Sequence, residues 1–237
     1  MGPGRPQVLV RPSDSDTQMP WIHQGAGRLV PTPTWQPFPP VPDTLRMLPA
    51  GARIADVGAG GRRITPDTLT VDRSPFPGTR LCSDAHALAL RDASLDCVFS
   101  TGTFEHIGEP VRALREFHRV LKPGGLIHIE TPFIFPFHPD PEDHTRWTLE
   151  GLCAFCEREG FERVSAGVHL GPASAVNVVL VAYARSWFSG RRTRRLAEMA
   201  ASLLLTPHKY LDRFLVRRRS ARDLAAGVYF VGRKPRG

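Results

Sequence analysis

From Asp43 onward the chain alternates between two textures. Short β-branched or apolar runs stop at glycine or aspartate, and longer stretches carry apolar residues three and four apart. A short helix over residues 43–48 leads into residues 53–57, a strand feeding the turn Gly58-Ala-Gly-Gly61. Residues 68–71, 79–82, 95–100 and 126–130 read as further strands, of which the first two end on or near Asp72 and Asp84. Residues 110–121 place Val111, Leu114, Phe117, Val120 and Leu121 on one helical face. Thr148, with Glu150 and Gly151 behind it, signals a helix that stops at Gly160. Residues 161–170 and 226–231 make the sixth and seventh strands, and between them lie the almost wholly apolar 172–188 and the stretches 194–205 and 207–216. Strands alternating with helices or crossovers predict an α/β domain built on a mostly parallel sheet.

Residues 1–42 follow no such period. They are crowded with proline (Pro31, Pro33, Pro37, Pro39, Pro40 and Pro42), as expected of an extended or disordered arm. Trp21, Trp35 and Phe38 within it either cover the domain or are incidental to a mobile tail, and the tail is the simpler expectation. Residues 43–237 suit one catalytic-sized domain. No apolar run reaches the roughly 20 residues of a membrane span. Four cysteines and the lack of a leader-like start point to a reducing cytoplasm.

Charge changes the picture by its placement. The net +8 divides into +11 over residues 185–237 and −3 over the rest. Only Lys122, Lys209 and Lys234 among the 31 basic residues are lysine, a bias so general that the arginine count by itself assigns no function.

The glycine turn is the first candidate for chemistry. A nucleotide approaches a backbone only where side chains are absent, and its negative groups favour an amide-rich turn. Gly58, Gly60 and Gly61 supply that absence, although Arg62 and Arg63 stand where a dinucleotide fingerprint has its third glycine. Alone, the motif is equally a tight structural turn. Asp72 at the next strand tip can accept from ribose hydroxyls, and Asp84 at the third from an adenine amine. Three successive strand ends then present nucleoside-binding groups on the edge where open parallel sheets bind ligands.

In order, Asp56-Val-Gly-Ala-Gly-Gly61, Val71-Asp72, Ser83-Asp84-Ala85, Asp92-Ala-Ser-Leu-Asp-Cys-Val98, Phe104-Glu-His-Ile107 and Arg119-Val-Leu-Lys-Pro-Gly-Gly125 resemble the motifs of the Rossmann-like class I S-adenosylmethionine-dependent methyltransferases. The match covers residues 50–132 and is closest to the subgroup acting on small molecules, sugars and lipids. The resemblance implies a seven-stranded, mostly parallel sheet whose last strand is antiparallel. It implies S-adenosylmethionine as cofactor and S-adenosylhomocysteine as product. By position, Asp56, Gly58 and Gly60 would hold the methionine end, Asp72 the ribose, and Asp84 with Ala85 the adenine, while Ser100, Thr101 and Phe104 would line the sulfonium side. Only ten residues, 62–71, separate Gly61 from Asp72, with Pro66 among them, so the first crossover helix is expected to be truncated or a loop.

The loop 133–147 resembles a segment of methyltransferases from sugar and cell-surface glycan clusters. Phe133, Asp143, His144, Arg146 and Trp147 are its candidate acceptor-binding residues. For a hydroxyl acceptor a base must remove a proton, and His138 or His106 is the candidate. Equally, Asp143 and Arg146 form a loop-stabilising ion pair and His138 caps a turn. Cys153-x-x-Cys156, with His138 and His144, invites a zinc reading, but two cysteines three apart inside a helix beside Leu152 and Phe155 pack as small apolar residues. No metal is expected.

Residues 172–222 form a basic helical insertion before the last strand. Helices with Leu196, Met199, Leu203, Tyr210 and Phe214 flanked by Arg191, Arg192, Arg194, Arg195 and Arg217 to Arg219 suit an anionic bilayer through residues 185–222. The same segment also suits a substrate lid or a dimer surface. Nucleic acid is not expected, because aromatics are not interleaved with the charges. The leading expectation is an O-methyltransferase for a small-molecule, sugar or lipid-linked acceptor. A non-catalytic protein of the same fold docking on a membrane or partner enzyme is the alternative. A nicotinamide-dependent reductase is disfavoured by the missing third glycine and the lack of a Tyr-x-x-x-Lys pair.

Overall fold

The computed structural model describes residues 32–139 and 142–236. Residues 1–31 of the N-terminal arm, Trp21 included, lie outside the described residues. Among those described, one seven-stranded sheet organises the chain in the order β3-β2-β1-β4-β5-β7-β6. The strands are β1 Ile54–Val57, β2 Leu69–Asp72, β3 Leu81–Cys82, β4 Leu95–Thr101, β5 Leu121–Pro132, β6 Glu162–Leu170 and β7 Gly227–Arg233. The first five run parallel, and β7 inserts antiparallel between β5 and β6. This is the expected α/β class with its reversed last strand.

Helices α1 (Pro40–Arg46), α2 (Pro110–Val120) and α3 (Leu149–Arg158) pack on the sheet. On α2, Ala113, Leu114, Phe117 and Val120 recur on one face and are fully buried. Thr148 caps α3 through Oγ1, which accepts from Gly151 N at 3.0 Å. Cys153 and Cys156 point from α3 into the core as free thiols, and burial pushes both pKa values up. They behave as the small apolar residues their helical spacing predicts.

Where the first crossover helix would stand, residues 62–68 form a turn. Pro66 lacks an amide proton to donate, and Thr65 and Thr68 close the segment on themselves: Thr68 N donates to Thr65 O at 3.1 Å and Thr65 N to Thr68 Oγ1 at 3.0 Å. The crossovers into β3 and β4 are also loops. The sheet face carrying Cys97, Phe99 and Leu126 is covered instead by Val41, Leu45 and Leu48 around α1 and by Ile64.

Several bounds differ from the sequence reading. Helix α1 begins at Pro40, because a proline fits the first helical turn. Strand β5 begins at Leu121, five residues early, since the Lys122-Pro-Gly-Gly125 segment stays paired beside β4 through an irregular register. The insertion comprises α4 (Pro172–Ser186), α5 (Arg191–Leu205), a 3₁₀ turn at His208–Leu211, and α6 (Asp212–Leu215), so residues 207–216 are broken rather than one helix. Residues 32–36 are tied to this insertion. Ser174 Oγ accepts from Trp35 N at 3.1 Å, Asn177 Nδ2 donates to Pro33 O at 3.0 Å, and Lys209 Nζ donates to Thr32 O at 2.8 Å. Trp35 packs edge-on against Tyr210, and Arg217 lies over the Phe38 ring.

Candidate active site

Beyond β1 the chain turns through Gly58, Ala59, Gly60 and Gly61, all three glycines having positive φ. Gly58 N and Ala59 N donate to Val71 O at 2.8 and 3.3 Å, and Gly60 N donates to Asp72 Oδ2 at 3.0 Å. A Cβ on Gly58 would lie 2.0 Å from Thr103 Cγ2, so this glycine is required by packing. Thr103 Oγ1 in turn donates to Gly58 O at 2.9 Å. A Cβ on Gly60 would meet nothing within 4 Å, which leaves main chain open to a ligand.

Asp56 is fully buried, and among the described residues neither carboxylate oxygen has a hydrogen-bond partner. Burial pushes its pKa up to about 7, against the pull of Arg62 and with Glu130 and Asp72 adding to the rise. An ionised carboxylate so placed is costly until a proton or a cation meets it. Ser100 Oγ on β4 is likewise buried and unpartnered. Arg62 fills the third-glycine position and closes the turn onto β4, its Nη2 donating to Thr101 O at 2.6 Å and Oγ1 at 3.0 Å. Asp84 stands beyond β3 and accepts from His86 N at 2.8 Å, which with the His86 ring holds its carboxyl below the usual range. Ala85 beside it is half-buried. The strand tips thus bring Asp56, Gly58, Gly60, Asp72, Asp84, Ser100 and Thr101 to one edge. Phe104 is placed differently: it is fully buried, packed against Trp147 and Phe155.

A second group gathers where the 3₁₀ turn Phe104–His106 meets the loop after β5. Glu105 is 2% exposed, and its Oε1 lies 3.6 Å from His138 Nε2 and 3.7 Å from His106 Nε2. Thr131 Oγ1 donates to Glu105 Oε2 at 3.4 Å. The outer nitrogens of both rings meet carbonyls: His138 Nδ1 is 2.9 Å from Pro136 O, and His106 Nδ1 contacts Glu142 O. Because a carbonyl only accepts, these contacts favour the tautomer with the proton on Nδ1 and Nε2 toward Glu105, against the Arg146 Nη2 donor 3.3 Å from His138 Nδ1. Burial opposes protonation of His138, but Glu105 and the Pro136 carbonyl outweigh it and raise its pKa.

The loop is locked rather than loose. Asp143 Oδ2 accepts from His138 N at 2.9 Å and from Arg146 Nη2 at 2.6 Å, while Arg146 also donates to Pro136 O at 3.1 Å. Asp143 and Arg146 therefore make the structural ion pair that the sequence allowed. His144 N donates to Glu105 O at 2.9 Å, and Phe133 N to Ala226 O at 2.9 Å. Trp147 donates from Nε1 to Thr145 Oγ1 at 3.0 Å and packs on the core.

Sequence reasoning missed Glu105, whose partners converge only in the fold, although it sits inside the Phe104-Glu-His106 motif. It also missed the row His128, Glu130 and His169. His128 Nε2 is 3.3 Å and Gln36 Nε2 3.4 Å from Glu130 Oε1, and His169 Nδ1 is 3.5 Å from Oε2. Burial lowers the His169 pKa, while burial of Glu130 is outweighed by His169, His128 and Arg62, which keep its carboxyl low. A histidine and a glutamate two apart in a central strand share one face, and that alternation was the available signal.

Residues 56–129 match a family model described as a methyltransferase domain. An uncharacterized methyltransferase of Mycobacterium tuberculosis is 34% identical, over 34% of this chain and 40% of that one. The chain spans less than half the length of the curated relatives it matches. Among solved structures, the [4+2]-cyclase SpnF superposes with a TM-score of 0.55 at 17% identity, covering 83% of this chain and 80% of that one. Phosphoethanolamine N-methyltransferase 2 of Haemonchus contortus, solved with S-adenosyl-L-methionine, gives 0.51 at 16% identity, covering 82% and 52%. The sheet order, the antiparallel β7 and these superpositions make the fold that of the class I S-adenosylmethionine-dependent methyltransferases.

Proposed function

We propose that this chain, built on a class I methyltransferase domain, binds S-adenosylmethionine at the strand tips and methylates an oxygen of a small-molecule, sugar or lipid-linked acceptor. The observation that carries the reading is Asp56, a buried carboxylate without a hydrogen-bond partner among the described residues, near a glycine that faces open space. That pairing fits a ligand with a cationic ammonium group and an exposed nucleoside. Asp56, Gly58 and Gly60 would hold the amino-acid end, Asp72 and Asp84 the nucleoside. Since a [4+2]-cyclase shares the fold, the reading rests on these residues and not on topology.

When bound, S-adenosylmethionine supplies an electrophilic methyl group. The chain's own residues then orient the acceptor and remove its proton. The Glu105, His106 and His138 group is the candidate for the second task, on the turn that follows β4, with His138 or His106 receiving the proton. Phe133, His144 and Trp147, on the described parts of the loop after β5, border the acceptor. Calorimetric titration with S-adenosylhomocysteine tests the cofactor site: saturable binding is expected, and its absence sinks the reading.

A specific observation favours a peripheral membrane contact as well. Within residues 172–222 the only carboxylates, Glu198 and Asp212, are buried, so the insertion shows water its arginines and apolar side chains. Leu196, Leu203, Leu204, Trp187 and Phe214 are each more than 60% exposed. Among the described residues no helix is long and apolar enough to cross a membrane. The contact proposed is with an anionic lipid surface, on which the acceptor is reached.

A further inference from the structure

We propose that Glu105, His106 and His138 form a binding site for one divalent first-row transition-metal ion. One nitrogen from each imidazole and one carboxylate oxygen lie within 4.8 Å of one another, on residues that are buried or nearly so. The 3.6 and 3.7 Å separations between Glu105 Oε1 and the two Nε2 atoms are too long for good hydrogen bonds. They are close to the spacing of about 3.4 Å that two ligands adopt when each sits about 2.1 Å from a shared tetrahedral ion.

The orientation of the rings supports the same assignment. An imidazole binds a metal through a bare nitrogen, and its other nitrogen is usually held by a carbonyl or carboxylate that fixes the tautomer. Both histidines have that outer partner: Pro136 O for His138 and Glu142 O for His106. Asp143 adds a carboxylate 3.5 Å from His138 Nδ1, itself clamped by Arg146. Thr131 anchors the second oxygen of Glu105. Two imidazoles and one carboxylate select zinc, iron, manganese, cobalt or nickel over magnesium or calcium, which take oxygen ligands. Three protein ligands leave a position for an oxygen of a bound molecule. With an ion in place both Nε2 atoms would be ligands and could not receive the acceptor's proton; the ion would instead lower the pKa of a hydroxyl bound to it, and that proton would pass to solvent.

Metal content is read without methyl transfer, so this inference and the cofactor reading fail separately. The full chain, stripped with a chelator, is titrated with Zn²⁺ by calorimetry and then loaded with Co²⁺ for absorption spectroscopy. The expected result is one equivalent of zinc. Cobalt bands should have visible intensity but lack strong sulfur charge-transfer absorption, since Cys153 and Cys156 lie outside the site. Glu105→Gln and His138→Gln should each weaken binding at least tenfold, whereas Cys153→Ser with Cys156→Ser should leave it unchanged. If the stripped wild-type chain takes up no stoichiometric zinc or cobalt, or if cobalt shows thiolate bands, the site is wrong. Binding that survives Glu105→Gln and His138→Gln in chains with native circular dichroism also overturns it.

Discussion

At the residue scale, Asp56 is the group whose state matters most. Its pKa rises from the ordinary 3.8 to about 7 because burial removes water from both oxygens and nothing in the described chain replaces it. An acid with a higher pKa folded than unfolded holds more protons when folded between those values. Ligand-free stability therefore falls as pH rises from about 4 to about 7 and levels off above. Asp56→Asn should flatten that decline and raise the thermal midpoint at pH 8, seen by calorimetric melting. Binding a cationic ammonium requires the charged form, so affinity for S-adenosylhomocysteine should rise about tenfold from pH 6 to pH 8 in the wild-type chain. A pH-independent affinity over that range would refute the assignment of Asp56. The glycine turn beside it was legible from sequence. The isolation of the carboxylate was not, because it depends on what the short 62–68 turn fails to place nearby.

At the element scale, strands and amphipathic helices were read well, since burial periodicity is local: α2 and α3 occupy nearly their expected spans. The truncated first crossover was also legible, from ten residues and one proline. The clustering of Glu105 with His106 and His138 was not, because 31 residues of intervening chain, from 107 to 137, must first fold into α2 and β5. The junction of α4 with α6 was equally hidden. Asp212, fully buried on α6, accepts from Ala173 N and Ser174 N at 2.9 Å each and from Ser174 Oγ at 2.6 Å. It caps the N-terminus of α4 from 40 positions away in the chain, numbering from Pro172. Asp212→Ala leaves those donors unmet and should cost about 2 kcal/mol in urea unfolding. A loss under about 0.5 kcal/mol would show that water or a neighbour replaces the cap.

At the scale of the whole molecule, charge and apolar exposure concentrate on one part of the chain. Most of the arginines behind the +11 of residues 185–237 face solvent beside exposed leucines and aromatics, with Arg185 and Lys209 buried, while the −3 remainder carries the glycine-turn edge. Vesicles with about one third anionic lipid should therefore carry the protein upward in a flotation gradient, and neutral vesicles should not. Leu203→Ser with Leu204→Ser should reduce flotation, and Asp56→Ala should leave it intact. Equal recovery with neutral vesicles, or none with anionic ones, removes the membrane from the reading. The antiparallel β7 has a consequence in time as well as space. A nascent chain is made from its N-terminus, and β6 finds its neighbour only when residues 227–233 leave the ribosome. Until then β5 and β6 both present unpaired edges, with the insertion that separates β6 from β7 already synthesised. Sealing the sheet is thus a late event, which waits until the insertion and then β7 have been made.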